Sequence, residues 1–324
     1  MTVNILKIKS IPRQNQILCG LILFFFVLFV SCQEKQDGGM DFTDTNSVIF
    51  RHDTDSTIYI SDSIIIADKG KVRDTIFSYS VYEKFLKNLL MSGRFMFVPV
   101  NELDATNSTD KVIISLRHDI DYDIPSSVRF ARREHKLGIR GSYYFLHTAD
   151  YYSETIPGYS ERKASVMDYM KKIQNNYKHE IGWHNDLVTL QVVYRIDAEQ
   201  YLFKELEWLK ANNIKIDGTC NHGSQFCYVY SYLNCYFWKS FGPLFPFKNF
   251  ESVFIGNQTI KIKKYDLSHF GFKYDADLLR VHRMFADVHL INNNRWHMRH
   301  IDWNSFKPGD KIIIIFHPAL WDSF

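Results

Sequence analysis

Residues 112–124 read VIISLRHDIDYDI. An apolar run leads into Arg117 and His118 and then into three acids, Asp119, Asp121 and Asp123, spaced two apart. The run 112–116 reads as a buried strand, and charge at the mouth of such a strand is costly unless something compensates it. Side chains at i and i+2 of a strand share a face, so Asp119 and Asp121 point the same way. Two carboxylates held together repel, which raises one pKa unless a cation sits beside them. Asp123 has the same parity but falls in the following loop, where it is placed to cap the next helix.

Outward from this stretch the chain alternates. Apolar spacing predicts helices over roughly 81–92, 126–137, 165–177 and 195–213, with Ser126 or Ser127 as N-cap of the second. Gly93 and Gly138 stop the first two. Strands are predicted at 142–147, 179–184, 214–219 and 312–316, a hairpin at 252–265 around Gly256-Asn257, and a further helix over 275–290. Residues 47–80 alternate in short runs and suggest a small β element. Repeated β-then-α units with apolar strands imply a parallel sheet with helices outside. Four or five units plus a terminal strand favour an α/β fold of the (β/α) barrel kind over an open sheet. There is no internal repeat and no low-complexity segment.

The strands of this series end in polar, metal-capable residues. The first ends in Arg117-His118-Asp119-Ile120-Asp121, the third in Trp183-His184-Asn185-Asp186, a later one in Cys220-Asn221-His222-Gly223, and the last in His317-Pro318. Parallel α/β folds assemble their sites from these carboxyl ends. With His184 near the acid pair, a divalent metal resolves the repulsion: one carboxylate and the imidazole coordinate, and the other carboxylate stays free as a base. Each residue also has a plainer reading. Asp119 and Asp121 could pair with Arg117 or Arg140, His184 and His317 could be satisfied core residues, and His222 a turn residue. His179 reads as structural, and His282, His289, His297 and His300 show no helical pairing of the HExxH kind. RHDTD at 51–55 repeats the letters of 117–121 without a long strand before it or a helix after it, and reads as coincidence.

At the N-terminus, Lys7, Lys9 and Arg13 precede an apolar run of about 15 residues, with no acid before Glu34. That is the layout of an export signal, and the run is short of the ~20 residues needed to span a bilayer. Its end, Phe-Val-Ser-Cys, resembles a bacterial lipoprotein processing site with Cys32 as the lipidated residue, although Phe29 replaces the usual Leu. The organisation expected is a signal peptide at 1–31, a tether at 32–46, an N-terminal β/α extension at 47–110 and a barrel at 111–324. The mature chain is then an exported, membrane-anchored lipoprotein. Removing Lys7, Lys9 and Arg13 takes the formal charge from +3 to zero, which leaves no electrostatic case for nucleic acid. At 46% hydrophobic and 23% charged, the composition is globular, and 16% aromatic content suits either a filled core or a sugar ligand. Cys220, Cys227 and Cys235 fit no zinc spacing and read as one disulfide plus a free thiol, or as small buried residues.

LRHDIDYDI, the helix ending KLGIRGSYYF, HEIGWHND, NHGS and FHPALW together resemble the polysaccharide deacetylase superfamily, carbohydrate esterase family four, in the branch whose first motif reads Arg-His-Asp-x-Asp. The likeness spans roughly residues 81–321. It implies a distorted (β/α) barrel and metal-assisted hydrolysis of N- or O-acetyl groups on an envelope or imported polysaccharide, with zinc as the expected divalent metal. On this likeness Asp119 is the general base, Asp121 and His184 are metal ligands, and His317 is the acid that protonates the leaving group. His222, Arg117, Trp183 and Trp321 are expected to meet the substrate. The family's second metal His falls at Val188, which cannot coordinate, so either Asp186 in the first place, His222 or a water supplies the third donor, or the hydrolase works without metal. The alternatives are a glycan-binding lipoprotein on a barrel that has lost its chemistry, and a structural lipoprotein.

Overall fold

Strand Val112–Ile120 lies inside a curled, all-parallel sheet in a mixed α/β fold. The structure, a computed structural model, describes residues 78–287 and 301–321. In chain order its sheet strands are β1 (Phe95–Phe97), β2 (Val112–Ile120), β3 (Ser142–Leu146), β6 (Glu180–Asn185), β7 (Ile216–Asn221), β10 (Tyr274–Asp275), β11 (Arg283–Ala286) and β12 (Lys311–Phe316). Two side hairpins supply β4–β5 (Ser153–Ile156, Tyr159–Arg162) and β8–β9 (Ser252–Ile255, Gln258–Lys261). The sheet order is β10-β7-β6-β3-β2-β12-β11, with β1 pairing the start of β2 on the edge that β3 takes further along.

The two ends of that order, β10 and β11, are joined by residues 276–282 alone. So short a connection reaches at most about 3.3–3.6 Å per residue, which holds the sheet's edges within reach and curls it. Strand parity sorts the side chains. Val112, Ile114, Leu116 and Ile120 join the outer core with α1 (Tyr79–Met91) and the helix after β2, whereas Ile113 joins Ile313, Ile315 and Ala286 inside the curl. The inner face also carries Tyr144 and Cys220. Two glycines make room there: a Cβ on Gly182 would lie 2.3 Å from the Tyr144 ring, and one on Gly218 2.1 Å from the Tyr274 ring.

Several expectations change. β2 runs to Ile120, so Arg117 and Asp119 stand within the strand instead of beyond it. The next helix, α3 (Ile124–Lys136), follows the short α2 (Val100–Leu103) and starts before the Ser pair. Asp123 is at its N-cap, and its side chain accepts from Ser126 Oγ instead of capping the backbone. Helix α4 (Val166–Lys171) continues as a π-turn, Lys172–Asn176. α5 (Leu187–Val192) and α6 (Ala198–Ala211) follow, with Asp197 capping α6. The expected helix at 275–290 does not form: its first part pairs with β7 as β10 and its later part with β12 as β11, because each completes an edge of the sheet. Cys220, Cys227 and Cys235 are free and buried, so the disulfide expectation fails and small buried residues is the right description.

The expected signal segment with Cys19 and Cys32, the expected tether, residues 47–77 with the RHDTD stretch, and His289, His297 and His300 lie outside the described residues. Among the described residues no helix is long and apolar enough to cross a membrane.

Candidate metal centre

The inward parity of β2 carries Arg117 and Asp119 up the strand and delivers Asp121 to its mouth. β6 brings His184, which stands in register with Cys220 of β7. His222 follows β7, held by its N–H donating to the Asn185 carbonyl at 2.9 Å. His317 follows β12. All are at carboxyl ends of parallel strands, where the sequence places the site.

His184 Nε2 lies 3.2 Å and His222 Nε2 3.8 Å from Asp121 Oδ1, and the three residues offer ligand atoms all within 4.8 Å of one another. One carboxylate and two imidazoles suit a divalent metal with a position left for water. Burial resists charge on Asp121, yet its bond to His184 and the nearby His222 and His317 hold its carboxyl below the usual range. A second, fully buried group of Asp119, His184 and Cys220 shares His184: Cys220 Sγ is 3.1 Å from Nδ1. Burial pushes that thiol's pKa well up; Arg117 opposes the rise, and the Asp119, Asp277 and Asp275 carboxylates add to it. A protonated thiol is a poor ligand, which favours the Asp121 group.

The plainer reading of the acid pair is realised for Asp119. Both of its oxygens accept from Arg117, Nε to Oδ1 and Nη2 to Oδ2, each at 2.8 Å. Burial opposes ionisation, but the guanidinium outweighs it and holds the carboxyl far below its ordinary range. Arg117 also donates to Asp277, which accepts the Asn221 N–H and side-chain amide, and Asn221 reaches Asp275 as well. Asp275 is pushed up by burial and by Asp277 beside it.

His317 Nδ1 meets Asp287 Oδ1 at 2.7 Å, and its Nε2 is 4.0 Å from Asp121 Oδ2. Burial alone would lower this imidazole's pKa; Asp287, with Asp121 and Asp119, instead pushes it up to about 9.

The remaining expected residues sit differently. Asp186 belongs to neither donor group. It accepts from Thr148 Oγ1 at 2.6 Å and Asn234 Nδ2 at 2.7 Å, and its Oδ1 stands 3.7 Å behind His222 Nδ1. The donor group with Asp121 and His184 is thus completed by His222 and not by Asp186. Val188 is buried in the core on α5. Trp183 and Trp321 were expected to meet substrate, and both are 0% exposed. Strand parity turns Trp183 outward to stack on His147 (centroids 4.8 Å), and Trp321 packs on Phe316, Tyr82 and Phe130. Arg117, 2% exposed, spends its donors on Asp119 and Asp277 instead of presenting them to a substrate.

Sequence reasoning missed Asp287, Asp277 and Asn234. Asp277 and Asp287 lay in the segment read as a helix, and Asn234 belongs to a 3₁₀ turn, Asn234–Phe237, that carries no periodic signal. No protein-family model and no curated protein sequence matches the chain.

Proposed function

We propose that the chain is a divalent-metal hydrolase that removes acetyl groups from an envelope or imported polysaccharide, on a barrel of the polysaccharide deacetylase type, tethered to a membrane through Cys32. The observation that carries this reading is the convergence of Asp121, His184 and His222 at one mouth, with the His317–Asp287 pair across from them.

Asp121, His184 and His222 would hold the ion, zinc by the nature of the donor set. When bound, the metal lowers the pKa of water and polarises an acyl carbonyl. The protein's own groups do the rest. Arg117 fixes the Asp119 carboxylate ionised and in one orientation, where it would take the proton of the attacking water. Asp287 fixes the His317 ring so that Nε2 faces the mouth, and its carboxylate beside Nδ1 favours the protonated ring. That proton goes to the departing amine or alkoxide. Asp186 orients His222 from behind.

The closest competitor is a barrel that binds glycan without chemistry, favoured by the engagement of both Asp119 oxygens with Arg117. Acetate release from acetylated chitooligosaccharide and acetylated xylan separates the two. Release that His317→Ala and Asp119→Asn both abolish supports the hydrolase. Glycan binding with no acetate released from any acetylated substrate supports the competitor.

A further inference from the structure

Away from the mouth, the flank between α3 and α4 holds a cleft of about 450 Å³. Arg129, Arg132 and Arg133 line it from α3, and Tyr169, Lys172 and Tyr177 from the opposite wall; no Asp or Glu lines it. The pattern follows from the helix. α3 buries Phe130, Ala131 and Glu134, so the stripe left outside is Arg129, Arg132, Arg133 and Lys136, at i, i+3, i+4 and i+7. Arg133 and Lys136, in the last turn, suit the helix's C-terminal dipole, whereas Arg129 and Arg132 set like charges at i, i+3 and i, i+4 against it.

Two further features make this a built cleft and not a general basicity. Residues 32–324 have a formal charge of zero, so the four cations lining this acid-free cleft are not the share of a generally basic chain. On the facing wall Lys172 opens the π-turn Lys172–Asn176, with Tyr169 before that turn and Tyr177 just after it. Arg133 is held in place, its guanidinium 4.2 Å from the Tyr79 ring centroid and 3.9 Å from Glu83.

We propose that this cleft binds an acidic saccharide unit: the arginine forks take the carboxylate of a uronate, and the half-exposed Tyr169 and Tyr177 rings border the pyranose. Guanidinium forks match a planar carboxylate, and aromatic rings suit the apolar face of a sugar. The cations line a concavity, which a flat lipid headgroup surface does not enter. The site is separate from the metal centre and stands whether or not that centre is catalytic.

The test titrates the full chain with tetragalacturonate and with neutral cellotetraose by calorimetry, at low and high salt. The variants are Arg132→Gln/Lys172→Gln and the charge reversal Arg132→Glu, all at exposed positions, with matched thermal unfolding as the check on folding. The proposal expects saturable tetragalacturonate binding that salt weakens, roughly tenfold weaker binding in the double variant, a larger loss in the reversal, and no such dependence for cellotetraose. Asp121→Ala should leave the tetragalacturonate affinity unchanged. Equal affinity in the variants, loss in Asp121→Ala, or variant-sensitive binding of phosphatidylglycerol vesicles without binding of tetragalacturonate would each overturn it.

Discussion

Asp287 accepts three donors of the last strand's end: Oδ1 lies 2.7 Å from His317 Nδ1, while Oδ2 takes the His317 backbone N–H at 2.7 Å and the Trp321 indole N–H at 2.9 Å. One buried carboxylate thus fixes the backbone, ring and following turn of the residue that faces Asp121.

That relationship sets a pH signature. The His317 ring titrates at about 9 in the fold, against an ordinary value of 6.5. Its stabilisation is fully present below pH 6.5 and is lost as pH rises through 9. In metal-free protein this amounts to about 3 kcal/mol. Denaturant unfolding at several pH values should show that decline in the parent chain and a smaller one in Asp287→Asn, where only Asp121 and Asp119 still favour the charged ring. An NMR titration placing the His317 ring near 6.5 in the parent would refute it.

Glu134 sets the acid side. It is fully buried on α3, accepts from the Tyr82 and Tyr143 hydroxyls, and lies 2.6 Å from His118 Nε2. Burial opposes its charge, but His118, His179 and the hydrogen bonds hold it down at about 2, against 4.5. Its stabilisation is present above pH 4.5 and is lost as pH falls toward 2. Glu134→Gln should cost on the order of 3 kcal/mol at neutral pH, with the gap to the parent closing toward pH 2. A constant gap across that range in urea unfolding would contradict this.

The packing of Tyr144 against Gly182 gives a third test. A Cβ there meets the ring at 2.3 Å, inside the curl, where neither strand can retreat. Gly182→Ala should destabilise by about 1–3 kcal/mol, and adding Tyr144→Leu should recover part of that loss. If the single variant melts like the parent, the close approach is not present in solution.

The three buried thiols should be inert. Burial pushes Cys220, Cys227 and Cys235 well above the ordinary thiol range. Mass spectrometry after native alkylation should find all three unmodified, and after unfolding all three modified. A disulfide among them would contradict the structure.

Much of the fold was legible because β2, β3 and β12 carry apolar runs whose burial shows in composition, whereas β6 offers only Ile181 and Trp183. The i, i+2 rule correctly set Asp119 and Asp121 on one face, and the strand ends pointed to His184, His222 and His317. Parity also had the power to exclude Trp183, one residue from His184 and so on the opposite face. What sequence could not supply was β10 and β11. These strands are too short for a periodic signal, and their apolar residues happen to fall at helical spacing. Pairing with β7 and β12 decided their conformation, and with it the places of Asp277 and Asp287.

The central claim is that Asp121, His184 and His222 hold a divalent metal while Asp186 stands behind. Zinc titration by calorimetry, on the parent and on Asp121→Ala, His184→Ala, His222→Ala and Asp186→Ala, tests it most directly. The account expects micromolar or tighter binding, abolished in the first three and weakened roughly 10–100-fold in the last. No saturable binding in the parent, or binding that survives His222→Ala but not Asp186→Ala, would contradict it.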